Sequence, residues 1–160
     1  MADTEDFYDT DVFTWSQIQA DLLRRFAKAS DFEPSFWERF DLKTPDWPNI
    51  IEEIESVGRS ELRAVESLLI QAMRHELKIV AWPNATYVSH WRSEVRFHRL
   101  RAQKIYRPSM EQQLDLEELY EAAKARVADD VDGISHGPLP DRCPWTLHEL
   151  LSYEKGLPRV

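Results

Sequence analysis

Three residues spaced by four, His90, Glu94 and His98, are of the types that hold a divalent metal along one helix face. A single ion cannot take all three, because eight helical residues rise about 12 Å whereas a metal–ligand bond is about 2 Å. At most one neighbouring pair binds, and the other ligands must come from elsewhere. A metal-dependent enzyme or hydrolase would have to draw on the acids of an upstream helix together with His75 or His90. His98 also falls on an apolar stripe, where a hydrogen-bonded core histidine is the plainer reading. The doubled Glu-x-x-His motif of di-iron bundles is absent. The expectation is therefore no catalytic residue, no metal ligand and no cofactor.

Two charge patterns stand beside this one. Glu52, Glu55, Arg59 and Arg63 recur at steps of three and four, which puts acids and bases along one helix face. Read plainly they are a solvated ladder, each exposed pair contributing about 0.3–0.5 kcal/mol. Read sharply they are a polar pocket or a docking face. From Arg92 to Arg107 the chain carries Arg92, Arg96, Arg99, Arg101, Lys104 and Arg107 against the one acid Glu94, in a protein whose net charge is −9. Arg92, Arg96 and Arg99 share a face near Phe97, a pattern suited to phosphate contacts and base stacking. No groove-reading motif accompanies them, and pairing with the acidic helices is the plainer reading. Cys143 is the single cysteine, which excludes an intramolecular disulfide; without a family-specific signature it is expected to be inert.

The elements that position these residues are helical. Few Val or Thr alternate, only four Gly occur in 160 residues, and Glu, Leu, Ala, Arg and Gln dominate long stretches. A first helix is expected from about Asp9 or Thr10 to Ser30, with Trp15, Ile18, Leu22, Phe26 and Ala29 as its apolar stripe. Phe32 to Thr44 reads as irregular, its aromatics Phe32, Phe36, Trp37 and Phe40 closing one end of the core. Asp46 caps a second helix running to about Val80, in which Gly58 marks either a close approach or a break. A third spans about Thr86 to Tyr106. A fourth opens with a capping box at Ser109 and Gln112 and runs to Val131, ended by Gly133. A proline-rich loop, Ile134 to Pro144, leads to a short last helix capped by Thr146 and Glu149. Short connections make the second, third and fourth helices antiparallel neighbours. The expected fold is all-α: one domain over residues 1–160, an irregular bundle of four main helices plus a short C-terminal helix.

Several of these segments resemble a bacterial family catalogued as domain of unknown function twenty-nine. The residues that carry the likeness are Tyr8, Asp11 and Trp15, with Gln19 and Leu22-Leu23 behind them. Trp47, Ile51-Glu52-Glu53-Ile54-Glu55 and Gly58-Arg59-Ser60-Glu61 follow, then Trp91-Arg92 and Cys143-Pro144-Trp145-Thr146-Leu147. The chain departs from the family pattern by a longer Phe32–Thr44 segment and a loose match over Ala81–His90. The resemblance implies an all-helical fold and a bacterial source. It brings no catalytic residues with it.

The functional expectation follows from the absence of catalytic signatures. It is a non-enzymatic helical interaction module, self-associating or docking a protein partner, with nucleic-acid binding through the third helix as the alternative and a metal-dependent enzyme behind both. The acidic start and the lack of a long apolar run lead to the expectation of a cytoplasmic protein with no membrane partner.

Overall fold

The computed structural model describes residues 4–30, 37, 43, 45–127, 130–131 and 133–152. Their contacts divide into two compact units, Met1–Leu62 and Arg63–Val160. The aromatic plug expected at Phe32, Phe36 and Phe40 lies outside the described residues.

The first unit contains α1 (Thr4–Thr10), α2 (Val12–Ser30) and the opening turns of α3 (Trp47–Ala81). One helix was expected to start at Asp9 or Thr10; instead Asp11 divides two. Its carboxylate accepts hydrogen bonds from the Thr14 amide at 3.0 Å and the Thr14 hydroxyl at 2.9 Å, satisfying an amide that α2 leaves open at its start. The apolar stripe also differs from the expected one. Phe13, Ser16 and Ala20 are buried, while Leu22 and Phe26 are 48% and 54% exposed. The reason is Gly58: a side chain built there would have its Cβ 2.2 Å from Ser16 Oγ and 3.3 Å from the Phe13 carbonyl. Helix α2 therefore turns its small residues toward α3, and the two backbones approach where no larger side chain would fit. Gly58 marks a close approach, and α3 continues through it unbroken.

Asp46 caps α3 as expected, accepting from the Asn49 side chain at 2.6 Å and, more weakly, the Asn49 amide at 3.4 Å. In the second unit the stripe that helical periodicity predicts, Val65, Leu69, Met73 and Leu77, is buried, and Ala72 is buried beside it. The chain reverses after Trp82 into α4 (Val88–Ile105), which contributes Trp91, Val95 and Ala102. His75 stacks on His98 and Trp82 packs on Trp91, so that advancing along α3 means retreating along α4; the two are antiparallel, as the short connection requires.

The expected fourth helix is broken. Pro108–Gln113 forms a 3-10 helix whose N-cap is Arg107, in place of a capping box at Ser109. Asp115 then starts α5 (Leu116–Lys124) by accepting from the amides of Glu117 and Glu118. Beyond it, Asp130–Val131 and Ile134–Ser135 pair as a minimal antiparallel ladder, β1 and β2. Gly133, with φ at 74°, sits in its turn. A glycine read as a helix stop is thus a hairpin residue, since one left-handed position serves either role. The last helix, α6 (Leu147–Leu151), carries the predicted capping box: the Glu149 amide donates to Thr146 Oγ1 at 3.2 Å and the Thr146 amide to Glu149 Oε2 at 2.8 Å. The fold is all-α apart from this four-residue ladder. Among the described residues no helix is long and apolar enough to cross a membrane.

Candidate functional site

The antiparallel pairing of α3 and α4 decides where the histidines go. His75 lies seven residues before Trp82 and His98 seven after Trp91, so two helical turns from the same contact bring the two rings together. Their planes stack within 10° at a centroid distance of 5.9 Å. One turn before His98, Glu94 places Oε2 3.4 Å from His98 Nε2. One donor atom from each of His75, Glu94 and His98 lies within 4.8 Å of the other two. Bonds of about 2 Å to one ion would space ligands about 3.3 Å apart, so the three donors would draw together from within 4.8 Å to share it. His90, expected as the alternative partner, is exposed and stands outside the group.

Burial prepares these rings as ligands. Desolvation lowers the His75 proton affinity most, to a pKa of about 4; Lys78, His98 and Arg74 push the same way, and Glu94 opposes them. His98 is lowered as well, chiefly by burial, against the pull of Glu94 and with help from Arg101. Both imidazoles are therefore neutral at pH 7, the form that binds metals. Nδ1 of His75 and Nδ1 of His98 are buried without a hydrogen-bond partner. Among the described residues they share this with the indole nitrogens of Trp47 and Trp145; what sets the two histidines apart is that a carboxylate stands in the same group.

The remaining candidates resolve into simpler roles. Arg59 forms ion pairs with Glu52 and Glu55, and Arg24 from α2 forms another with Glu55. Glu52 is 64% exposed and only Glu55, at 17%, is substantially covered, so this is largely the solvated ladder. Arg63 is exposed and acts on Glu66. On α4 the basic face loses its third member: Arg92 and Arg96 are exposed, but Arg99 is 2% exposed. Arg99 donates from Nε to the Leu150 carbonyl at 3.0 Å, and from one terminal nitrogen to the carbonyls of Glu149 at 2.6 Å and Ser152 at 2.7 Å. The guanidinium closes the end of α6, because the last carbonyls of a helix have no partner within it. Burial raises the Cys143 thiol pKa, and its Sγ–H donates to the Trp145 carbonyl at 3.3 Å, so it is not poised as a nucleophile.

The motif residues have architectural roles too. Tyr8 meets Trp15 edge-on at 5.1 Å and Trp47 meets Phe26 at 5.5 Å. Asp11 caps α2, Gly58 admits Ser16, and Trp91 and Trp145 are buried, Trp145 against Tyr120. Glu53 and Ser60 are exposed, while Glu61 and Pro144 are half-buried.

A family model described as "Domain of unknown function DUF29" matches residues 7–154. Among solved structures, the chain is similar to an α-helical protein of unknown function from Rhodospirillum rubrum. The two share 29% identity over 92% of each chain, with a TM-score of 0.67. No curated protein matches the chain.

Proposed function

The chain belongs to the DUF29 family, whose description assigns no activity, and we propose that it binds a divalent transition-metal ion through His75, Glu94 and His98. The observation that carries this reading is the convergence of three donor atoms within 4.8 Å, two of them on imidazoles with an orphaned buried nitrogen. Two histidines and one carboxylate are the donor set of catalytic zinc sites and of open iron(II) sites, so a first-row ion fits better than magnesium or calcium, which prefer oxygen. With three protein ligands and no fourth in the group among the described residues, one coordination position is left open.

Calorimetric titration of the metal-free protein with zinc is expected to give one ion per chain. Zinc at a hundred times its Kd should stabilise the fold by about 2.7 kcal/mol. His75→Ala and His98→Ala should each lose more than about a hundredfold in affinity, beyond what an outer-shell change costs. His90→Ala should bind as the wild type does. Equal losses in all three variants, or no zinc uptake by the wild type, would sink the reading.

A second reading, docking of a protein partner or of another copy, is favoured by the apolar side chains that the first unit leaves exposed. Leu22 and Phe26 lie one turn apart on α2, and Ile50 and Val57 lie two turns apart on α3, exposed by 39% and 40%. If this surface associates, light scattering should find a concentration-dependent mass that Leu22→Asp with Phe26→Asp returns to the monomer. The bacterial source of the structural neighbour supports a bacterial setting for either role.

A further inference from the structure

We propose that the open coordination position of this centre takes a small oxyanion, carboxylate or phosphate, as its exchangeable fourth ligand; the inference rests on the metal reading. The argument is one of charge. Glu94 is the single carboxylate in the donor group, so a bound dication keeps one uncompensated positive charge. Around it stand three cations placed by the helices: Arg74 adjoins His75, Lys78 lies one turn beyond it on α3, and Arg101 lies one turn beyond His98 on α4. Among the described residues none of the three pairs with a carboxylate. Lys78 rests over the Trp91 ring at 5.6 Å, Arg101 over the Phe97 ring at 5.4 Å, and Arg74 donates to the Arg126 carbonyl at 2.9 Å. Aromatic faces and a carbonyl hold these side chains without neutralising them. Glu76, the acid next to His75 on α3, feels the charges of Arg99 and Arg92.

A dication in such surroundings is repelled by its neighbours until an anion joins it, and an anion is attracted by all four cationic centres at once. Water or neutral imidazole could complete the coordination but would leave the charge in place. An oxyanion supplies both a hard donor to the metal and acceptor oxygens for ammonium and guanidinium groups. The site is reachable from solvent, since the side chains of His98 and Glu94 keep 16% and 34% of their exposure.

Cobalt(II) tests this, because its visible absorption reports the ligands around it. The purified full chain is loaded with one equivalent of cobalt and titrated separately with acetate, inorganic phosphate and imidazole. Saturable spectral change with acetate or phosphate is expected at concentrations where imidazole has no effect, and the tighter of the two identifies a carboxylate or a phosphate as the better ligand. Lys78→Gln and Arg101→Gln should weaken the anion by about tenfold each while leaving cobalt affinity equal or higher, since each removes a repulsive charge. That opposite movement separates an electrostatic role from a folding defect, which would weaken both. A cobalt spectrum unmoved by either anion, or moved equally by imidazole, overturns the anion inference and leaves the metal site standing. Failure to bind cobalt at all overturns both.

Discussion

Arg99→Ala is expected to destabilise the second unit by about 3–5 kcal/mol, the cost of removing one partner from a buried charged network. The residue is 2% exposed and its donors reach three carbonyls at the end of α6. Truncation leaves those acceptors facing a cavity that water must enter. It also strips Glu76 of its principal compensating cation: burial pushes that carboxyl's pKa up, and Arg99, then Arg92, pull it down. Arg99→Lys should recover little, because a single ammonium cannot span acceptors arranged for a planar fork. Adding Glu76→Gln to Arg99→Ala should return part of the loss, since an amide tolerates burial without a counter-charge. Denaturant unfolding of the four proteins measures this. A loss under about 1 kcal/mol would mean that Arg99 behaves as a surface residue.

Gly58→Ala should destabilise the first unit by about 1–3 kcal/mol, the usual cost of overpacking a filled interior. Helix propensity argues the other way, since alanine favours a helix over glycine by roughly 1 kcal/mol. Sterics decide the sign. The new methyl would lie 2.2 Å from Ser16 Oγ, a fully buried atom that already donates to the Phe13 carbonyl at 2.8 Å. Either the hydroxyl gives up that bond or the helices separate. Ser16→Ala removes the colliding oxygen, so the double variant Gly58→Ala with Ser16→Ala should return to within about 1 kcal/mol of the parent. A thermodynamic cycle of the four proteins gives the coupling directly. A stabilised Gly58→Ala would show that propensity outweighs contact.

Both residues illustrate what was legible before the structure. The stripe of α3 and the all-α fold follow from local periodicity and the capping box at Thr146 and Glu149 from local spacing, and local rules read them correctly; the box expected at Ser109 and Gln112 gave way to a 3-10 helix capped by Arg107. Gly58 stood out because a glycine amid helix formers demands a reason, and the two reasons on offer differ only in what lies opposite. Helix α2 was placed on the wrong face because Leu22 and Phe26 are the larger apolar side chains; the tight packing at Gly58 selects Phe13, Ser16 and Ala20 instead. Arg99 occupied its expected helix position, but its partners at 149, 150 and 152 belong to another element. The grouping of His75, Glu94 and His98 was illegible for the same reason: His75 and His98 sit on different helices, and spacing along one helix drew attention to His90. One signal was available. The two tryptophans bracketing the short turn, Trp82 and Trp91, set the register of the hairpin, and equal steps away from them meet at the histidines.

The separation between Arg99 and its acceptors also sets an order of events. The α3–α4 hairpin forms from residues joined by a short turn, whereas the carbonyls that receive Arg99 lie 50 to 53 residues downstream. Contacts that close long loops must wait until their entropy cost is offset by structure already present. The hairpin therefore assembles with Arg99 still hydrated, and the guanidinium sheds its water only when α6 arrives. A bond made after the transition state leaves the folding rate nearly untouched and acts as a latch on the way out, so its loss accelerates unfolding. Arg99 governs how long the native state lasts more than how quickly it is reached.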